Sequence, residues 1–165
     1  MNIKGLKEII EYVKPHALFG LSGFGPAFGE DVLASLVDNS GGKKPLVFPL
    51  SNPTPKAEVT FTDAVEFTKG HLLFAAGSPF DPLDYNGKHF IPSQCNNMFI
   101  FPGLGMGVKL SGSPEVTDEM LLASAYTVAA YVSEEELDAG RLYPSLRNLS
   151  DIGKHITKAV WKKAI

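Results

Sequence analysis

Asn52 stands where an apolar run, PLVFPL (45–50), gives way to SNPTP (51–55). Its carboxamide can donate and accept at once, and Pro53 behind it confines its backbone to extended conformations. An amide held rigid at the end of a strand can grip a carboxylate, a carbonyl or a carboxamide of a small ligand. Asn-Pro also starts ordinary turns, and the local pattern leaves both readings open. Two further apolar runs end in the same manner, ALFGL (17–21) in SGFG and HLLFAA (71–76) in GSPF. Ligands of open α/β sheets sit beyond the carboxyl ends of the strands. Ser22, Gly23, Gly25, Ser51, Asn52, Gly77 and Ser78 are therefore expected along one edge. Exposed N–H groups along that edge, with a helix N-terminus following, could receive a phosphate or carboxylate. An isolated G-x-G equally serves as a tight βα turn, since the dinucleotide fingerprint is the longer G-x-G-x-x-G. In SQCNN (93–97) two amides, Asn96 and Asn97, precede an apolar stretch. One suits a helix N-cap, which leaves the other for a ligand or for water.

Other chemistry finds no support. His16, His71, His89 and His155 are scattered, without zinc-site spacing. No P-loop and no nucleophile elbow occurs. Asp81 and Asp84 read as solvated turn carboxylates beside Pro82 rather than as a metal pair. Cys95 is the one cysteine; it has no base beside it in sequence and rules out an internal disulfide, in keeping with a reducing compartment. The residues by themselves assign neither a catalytic group nor a metal ligand.

The elements that must position these groups follow from periodicity. Leu6, Ile9, Ile10 and Val13 mark one helical face, ended by Pro15; Val32, Leu33, Leu36 and Val37 mark a second, closed by Gly41 and Gly42. A third helix is expected over about 61–69 with Thr60 and Asp63 at its start and Gly70 past its end. Strands are expected at 17–21, 45–51 and 71–78, Pro49 being awkward inside the second. Asn86-Gly87 predicts a hairpin turn. NNMFIFPGLGMGV, interrupted by Pro102 and three glycines, is kinked or tightly packed if helical. Three helices follow: one over TDEMLLASAYTVAAYV, one opened by a Ser133/Glu136 capping box, and one with Ile152, Ile156, Ala159 and Val160 facing inward. Alternating helices and strands predict an α/β fold, a partial Rossmann-like parallel sheet flanked by helices, with a β-hairpin and a helical C-terminal segment. Three core strands are few for a doubly wound domain, so the sheet reads as incomplete.

Composition fits one globular domain of 165 residues, 44% hydrophobic and 20% charged. A net charge of −3 gives no basic footprint, so nucleic acid is not an expected partner. The short lysine clusters read as solvated. No apolar run is long enough for a membrane helix, and MNIKGLKEII lacks a signal-peptide core. A soluble intracellular protein, cytoplasmic by default, is expected.

Taken together, PLVFPLSNPTPKAEVT, LLFAAGSPFDPLDYNGKHFIPSQCNNMFIFPGLGMGV and GRLYPSL resemble the C-terminal part of the NAD(P)-binding domain of malic enzyme, across about residues 4 to 164. Many members carry P-G-Q-[GS]-N-N where this chain has PSQCNN. The resemblance implies oxidative decarboxylation of (S)-malate to pyruvate and CO2 with NAD or NADP. It places Asn52 where substrate and nicotinamide meet, Ser22, Gly23 and Gly25 along the cofactor, and Asn96 and Asn97 on the substrate carboxylate. It also implies that the catalytic Tyr–Lys pair, the carboxylates for Mn2+ or Mg2+ and the main glycine fingerprint lie outside this chain, in a preceding part of the enzyme. The complete protein is expected to be a homo-oligomer, and the 165 residues alone to be inactive. The alternatives are a non-catalytic nucleotide- or metabolite-binding module and a Rossmann-type dehydrogenase of other amino or hydroxy acids.

Overall fold

A computed structural model describes residues 5–164. They form two compact units, one running to Cys95 and adding Ala139–Arg141, the other comprising Asn96–Asp138 and the chain from Leu142 onward.

The first unit is built on a parallel sheet in the order β1-β2-β3-β6, with β1 Ala17–Gly20, β2 Leu46–Pro49, β3 Leu73–Ala76 and β6 Ser93–Gln94. The first three are the expected strands, shortened to four residues each. The fourth has two residues, too few for any alternation to announce it. Pro49 closes β2 opposite Gly20, so its missing N–H falls at the end of the ladder, where it costs least. Helices α1 (Leu6–Val13), α2 (Glu30–Asp38) and α3 (Phe61–Phe67) accompany the sheet. Val32, Leu33, Leu36, Phe61, Ala64 and Val65 join Leu18, Val47 and Phe74 in one buried cluster. Thr60 caps α3 by accepting the Asp63 N–H at 3.1 Å, as its position implies.

The face expected of α1 is only half correct. Ile10 is buried and Leu6 packs against the core, but Ile9 and Val13 are exposed, at 44% and 59%. Periodicity finds an apolar stripe and cannot say how much of it a neighbour covers. After Asn52 the prolines enter a single 3-10 turn, Thr54–Lys56, and α3 begins at Phe61 as expected. The hairpin of β4 (Leu83–Tyr85) and β5 (Lys88–Phe90) turns on Asn86 and Gly87, both at positive φ (50° and 74°), as a two-residue turn of this type requires.

The second unit is helical. A 3-10 turn at Asn97–Phe99 leads into α4 (Phe101–Ser111); α5 (Asp118–Ala129), α6 (Glu134–Asp138) and α7 (Leu149–Ala164) follow. The capping box before α6 is reciprocal, Ser133 Oγ accepting from Glu136 N–H at 3.1 Å and a Glu136 carboxylate oxygen accepting from Ser133 N–H at 3.2 Å. Pro102 sits in the first turn of α4, where the absent N–H has no helical partner to lose. Two of the three α4 glycines let α7 come close: a Cβ on Gly103 would lie 2.6 Å from the Gly153 carbonyl oxygen, and one on Gly107 2.7 Å from Val160 Cβ. Gly105 faces open space. Phe99, Leu104, Met120, Val128, Ile152, Ile156 and Val160 fill the core of this unit.

Its surface carries one linked polar group. Tyr131 donates to Asp151 Oδ2 at 2.6 Å, and His155 Nδ1 lies 2.7 Å from the phenol oxygen. The bond to Asp151 pushes the Tyr131 phenol up to about 12, with desolvation and the carboxylate charge adding to it. The same bond holds the Asp151 carboxyl below its ordinary value, desolvation opposing and His155 and Lys154 helping.

Two outcomes are expected from these contacts. Gly107→Ala should lower the thermal midpoint, overpacking of this kind costing about 1–3 kcal/mol. Gly105→Ala should raise it, a gain of about 0.8–1 kcal/mol in an exposed helix interior; equal effects at the two positions would refute the packing account. Tyr131→Phe should lose a stabilisation that is greatest near neutral pH. On the acid side that advantage disappears as pH falls through the depressed value of Asp151. On the alkaline side it is complete below the tyrosine reference of 10.0 and fades as pH rises toward about 12. Thermal melts of both proteins across pH read this directly.

Candidate functional site

The carboxyl ends of β1, β2 and β3 lie side by side, Gly20 opposite Pro49 in the register, and the segments carrying Ser22, Asn52 and Ser78 leave the sheet along that edge. Backbone meets backbone there with no side chain between. A Cβ on Gly77 would lie 2.6 Å from the Leu50 carbonyl oxygen, and one on Gly25 2.1 Å from that of Ala57. Gly25 is therefore a glycine because the protein itself fills the space. Gly23 differs: its φ is 72° and nothing stands within 4 Å of where a Cβ would be, so this is the position where a ligand could approach the bare chain.

Two N–H groups of that turn are used within the protein. Gly23 N–H donates to Ser51 Oγ at 2.9 Å, and Phe24 N–H reaches Ser22 Oγ at 3.3 Å. Helix α2 behind them opens with Glu30 and Asp31, whose charges oppose an anion at the helix N-terminus. The internal bonds of Gly23 and Phe24 N–H and the acidic start of α2 thus do not favour an anion at this turn.

Asn52 is exposed and held. Ser78 Oγ donates to its Oδ1 at 2.5 Å, while its Nδ2 lies over Gly77. An amide oxygen has two lone pairs, so the exposed side chain keeps acceptor capacity beside its N–H donors. The bonds before the two prolines, Gly25-Pro26 and Asn52-Pro53, are both cis, a feature the sequence reading did not foresee. In the second unit Asn96 caps the 3-10 turn, its Oδ1 accepting from Met98 N–H at 3.0 Å, and Asn97 is exposed. Of the adjacent amides, one is spent on the backbone and its neighbour is available to solvent or ligand.

The residue that sequence reasoning missed is Glu58. It is 1% exposed, between Ala57 and Val59, also buried, and its carboxylate accepts from both the hydroxyl and the N–H of Ser51. A lone acid in a short turn segment carries no periodic signal of burial, so nothing in the pattern could have found it.

Asp81 and Asp84 are exposed, Asp84 pairing with His89 Nδ1 at 2.7 Å. Among the described residues no group of three or more His, Cys, Asp or Glu side chains is placed to hold a metal ion. No described helix is long and apolar enough to cross a membrane.

Comparison with known proteins places the chain in a family. Relatives include the NADP-dependent malic enzyme of Vitis vinifera, 46% identical over 162 residues and 98% of this chain. The NADP-dependent malic enzyme of Dictyostelium discoideum is 43% identical over 99% of the chain. The NAD-dependent malic enzyme 2, mitochondrial, of Arabidopsis thaliana is 43% identical over 96%. The chain spans 27%, 30% and 26% of their respective lengths. The family model described as the NAD binding domain of malic enzyme matches residues 1–165, and with that match over its whole length the chain belongs to the malic enzyme family.

Proposed function

We propose that this chain is the C-terminal part of the NAD(P)-binding domain of an enzyme that oxidatively decarboxylates (S)-malate to pyruvate and CO2, and that it supplies cofactor and substrate contacts. The observation that carries the proposal is the family match along the whole chain. Relatives named for NADP and for NAD both resemble it closely, so the choice between the two is not part of the proposal.

NAD(P), held beside Gly23, would supply the hydride acceptor for C2 of malate, and residues outside this chain would hold the Mn2+ or Mg2+. The chain's own residues position and bind. Asn52 is exposed and steadied by the Ser78 hydroxyl on its Oδ1, and its Nδ2 donors suit a carboxylate or carbonyl oxygen of the substrate or the nicotinamide carboxamide. Gly23 leaves room for the cofactor beside a bare α-carbon, with the Ser22 hydroxyl exposed next to it and Gly25 packing the turn in place. Asn97 offers an exposed amide, and Asn96 sets the turn that presents it while adding what donor capacity its cap leaves. The catalytic Tyr–Lys pair belongs to the rest of the enzyme, which would function as a homo-oligomer. Cys95 as the one thiol accords with work in a reducing compartment.

The proposal is tested in the full-length enzyme. Asn52→Ala should reduce kcat/KM for malate by about 10- to 100-fold, the cost of a lost hydrogen bond to a charged group being about 1.5–3 kcal/mol. Asn52→Asp should be worse, because it replaces a donor by a charge that repels a dicarboxylate. Unchanged kinetics in both would remove Asn52 from the site. The 165 residues alone, given malate, Mn2+ and either cofactor, should form no NAD(P)H; turnover by this segment would overthrow the division of labour proposed.

A further inference from the structure

Glu58 lies inside the protein without a cation in ion-pair distance among the described residues, an expensive place for a carboxylate. An apolar side chain of similar volume would fill the space without that cost. What a carboxylate provides and an apolar group lacks is two acceptor oxygens side by side. Both are used, and both by the same residue. Ser51 donates its hydroxyl to one oxygen and its N–H, at 3.3 Å, to the other. A serine hydroxyl has a single hydrogen, so committing it to Glu58 fixes the rotor and turns an oxygen lone pair toward Gly23 N–H, which donates to it at 2.9 Å. The backbone of Glu58 acts on the same segment, since its carbonyl accepts from Ala27 N–H at 2.8 Å and Phe28 N–H at 3.0 Å. The side chain also presses on the end of β1, where a Cβ on Gly20 would lie 2.3 Å from its carboxyl carbon. One residue therefore ties down the β1–α2 segment at two points, Gly23 through Ser51 and Ala27–Phe28 directly.

We propose that Glu58 is a positioning residue for cofactor binding, acting through the Ser51 hydroxyl to set the turn in which Gly23 leaves room for NAD(P). This rests on the reading that residues 22–25 line the cofactor. Its consequence is that Ser51, beside Asn52, serves the cofactor turn rather than the substrate.

Glu58→Gln tests it with little change of shape. A carboxamide has one oxygen, so either the Ser51 hydroxyl or the Ser51 N–H faces an NH2 group instead of an acceptor. In the full-length enzyme, NADH and NADPH dissociation constants are measured by fluorescence titration without malate, beside steady-state kinetics with malate. Glu58→Gln and Ser51→Ala are each expected to weaken cofactor binding and raise the cofactor KM about tenfold, as loss of one buried hydrogen bond would, with kcat at saturating cofactor nearly unchanged. Ser51→Thr, which keeps the hydroxyl, should bind as the wild type does. Because the two residues act in one chain of contacts, the double variant should bind no more weakly than the worse single one. Multiplied effects in the double variant, or normal cofactor affinity in folded Ser51→Ala, would overturn the proposal. Should Glu58→Gln fail to fold, the two Ser51 variants still decide it. Wild-type enzyme that binds NAD(P)H but leaves malate untouched would defeat the proposed substrate and spare this relay. Wild-type enzyme that binds neither cofactor would defeat both.

Discussion

Close approach of bare backbone at the carboxyl edge of the parallel sheet is the constraint on which the candidate site depends. Gly20 lies on the Glu58 side chain, Gly25 on the carbonyl of Ala57 and Gly77 on that of Leu50. At Gly25 and Gly77 a methyl group would collide with backbone, and at Gly20 with the buried, hydrogen-bonded Glu58 carboxylate. The three strand ends can therefore mesh, which brings Ser51 under Gly23 and Ser78 against Asn52. The exposed polar groups of the edge inherit their directions from contacts beneath them. This is how a protein fixes a binding group on a loop without making the loop itself a regular element.

The second unit obtains closeness by the same means between helices. Gly103 and Gly107 allow α4 to lie against α7, with Ile156 and Val160 occupying the space their side chains would have taken. Thr157 adds a hydrogen bond to the Gly103 carbonyl at 3.2 Å. Helix propensity argues against such a glycine-rich helix, and packing overrides it. The Pro102 placement in the first turn removes the other objection, since a proline there interrupts nothing.

The candidate residues of the two units differ in legibility. Asn52 is prominent in the sequence because a polar amide between an apolar run and two prolines is unusual. Its orientation is not, because that depends on Ser78, 26 residues away. The turn at 22–25 is legible as glycine-rich, yet its two glycines do different things, one yielding to Ala57 and one leaving open space. Of its N–H groups, those of Gly23 and Phe24 donate within the protein, which no local pattern announces. Asn96 and Asn97 look equivalent in sequence, and the local turn separates them into a cap and an exposed amide.

By itself the sequence determined the order of helices and strands, the hairpin at Asn86-Gly87, the capping boxes and the family, because each is written in residues close together or in long strings that agree in order. Tertiary structure alone decided the two-residue strand β6, the exposure of Ile9 and Val13 and the burial of Glu58. A short strand exists only through its neighbour, an apolar stripe is buried only where something covers it, and a carboxylate can be buried only where folding delivers donors to both its oxygens.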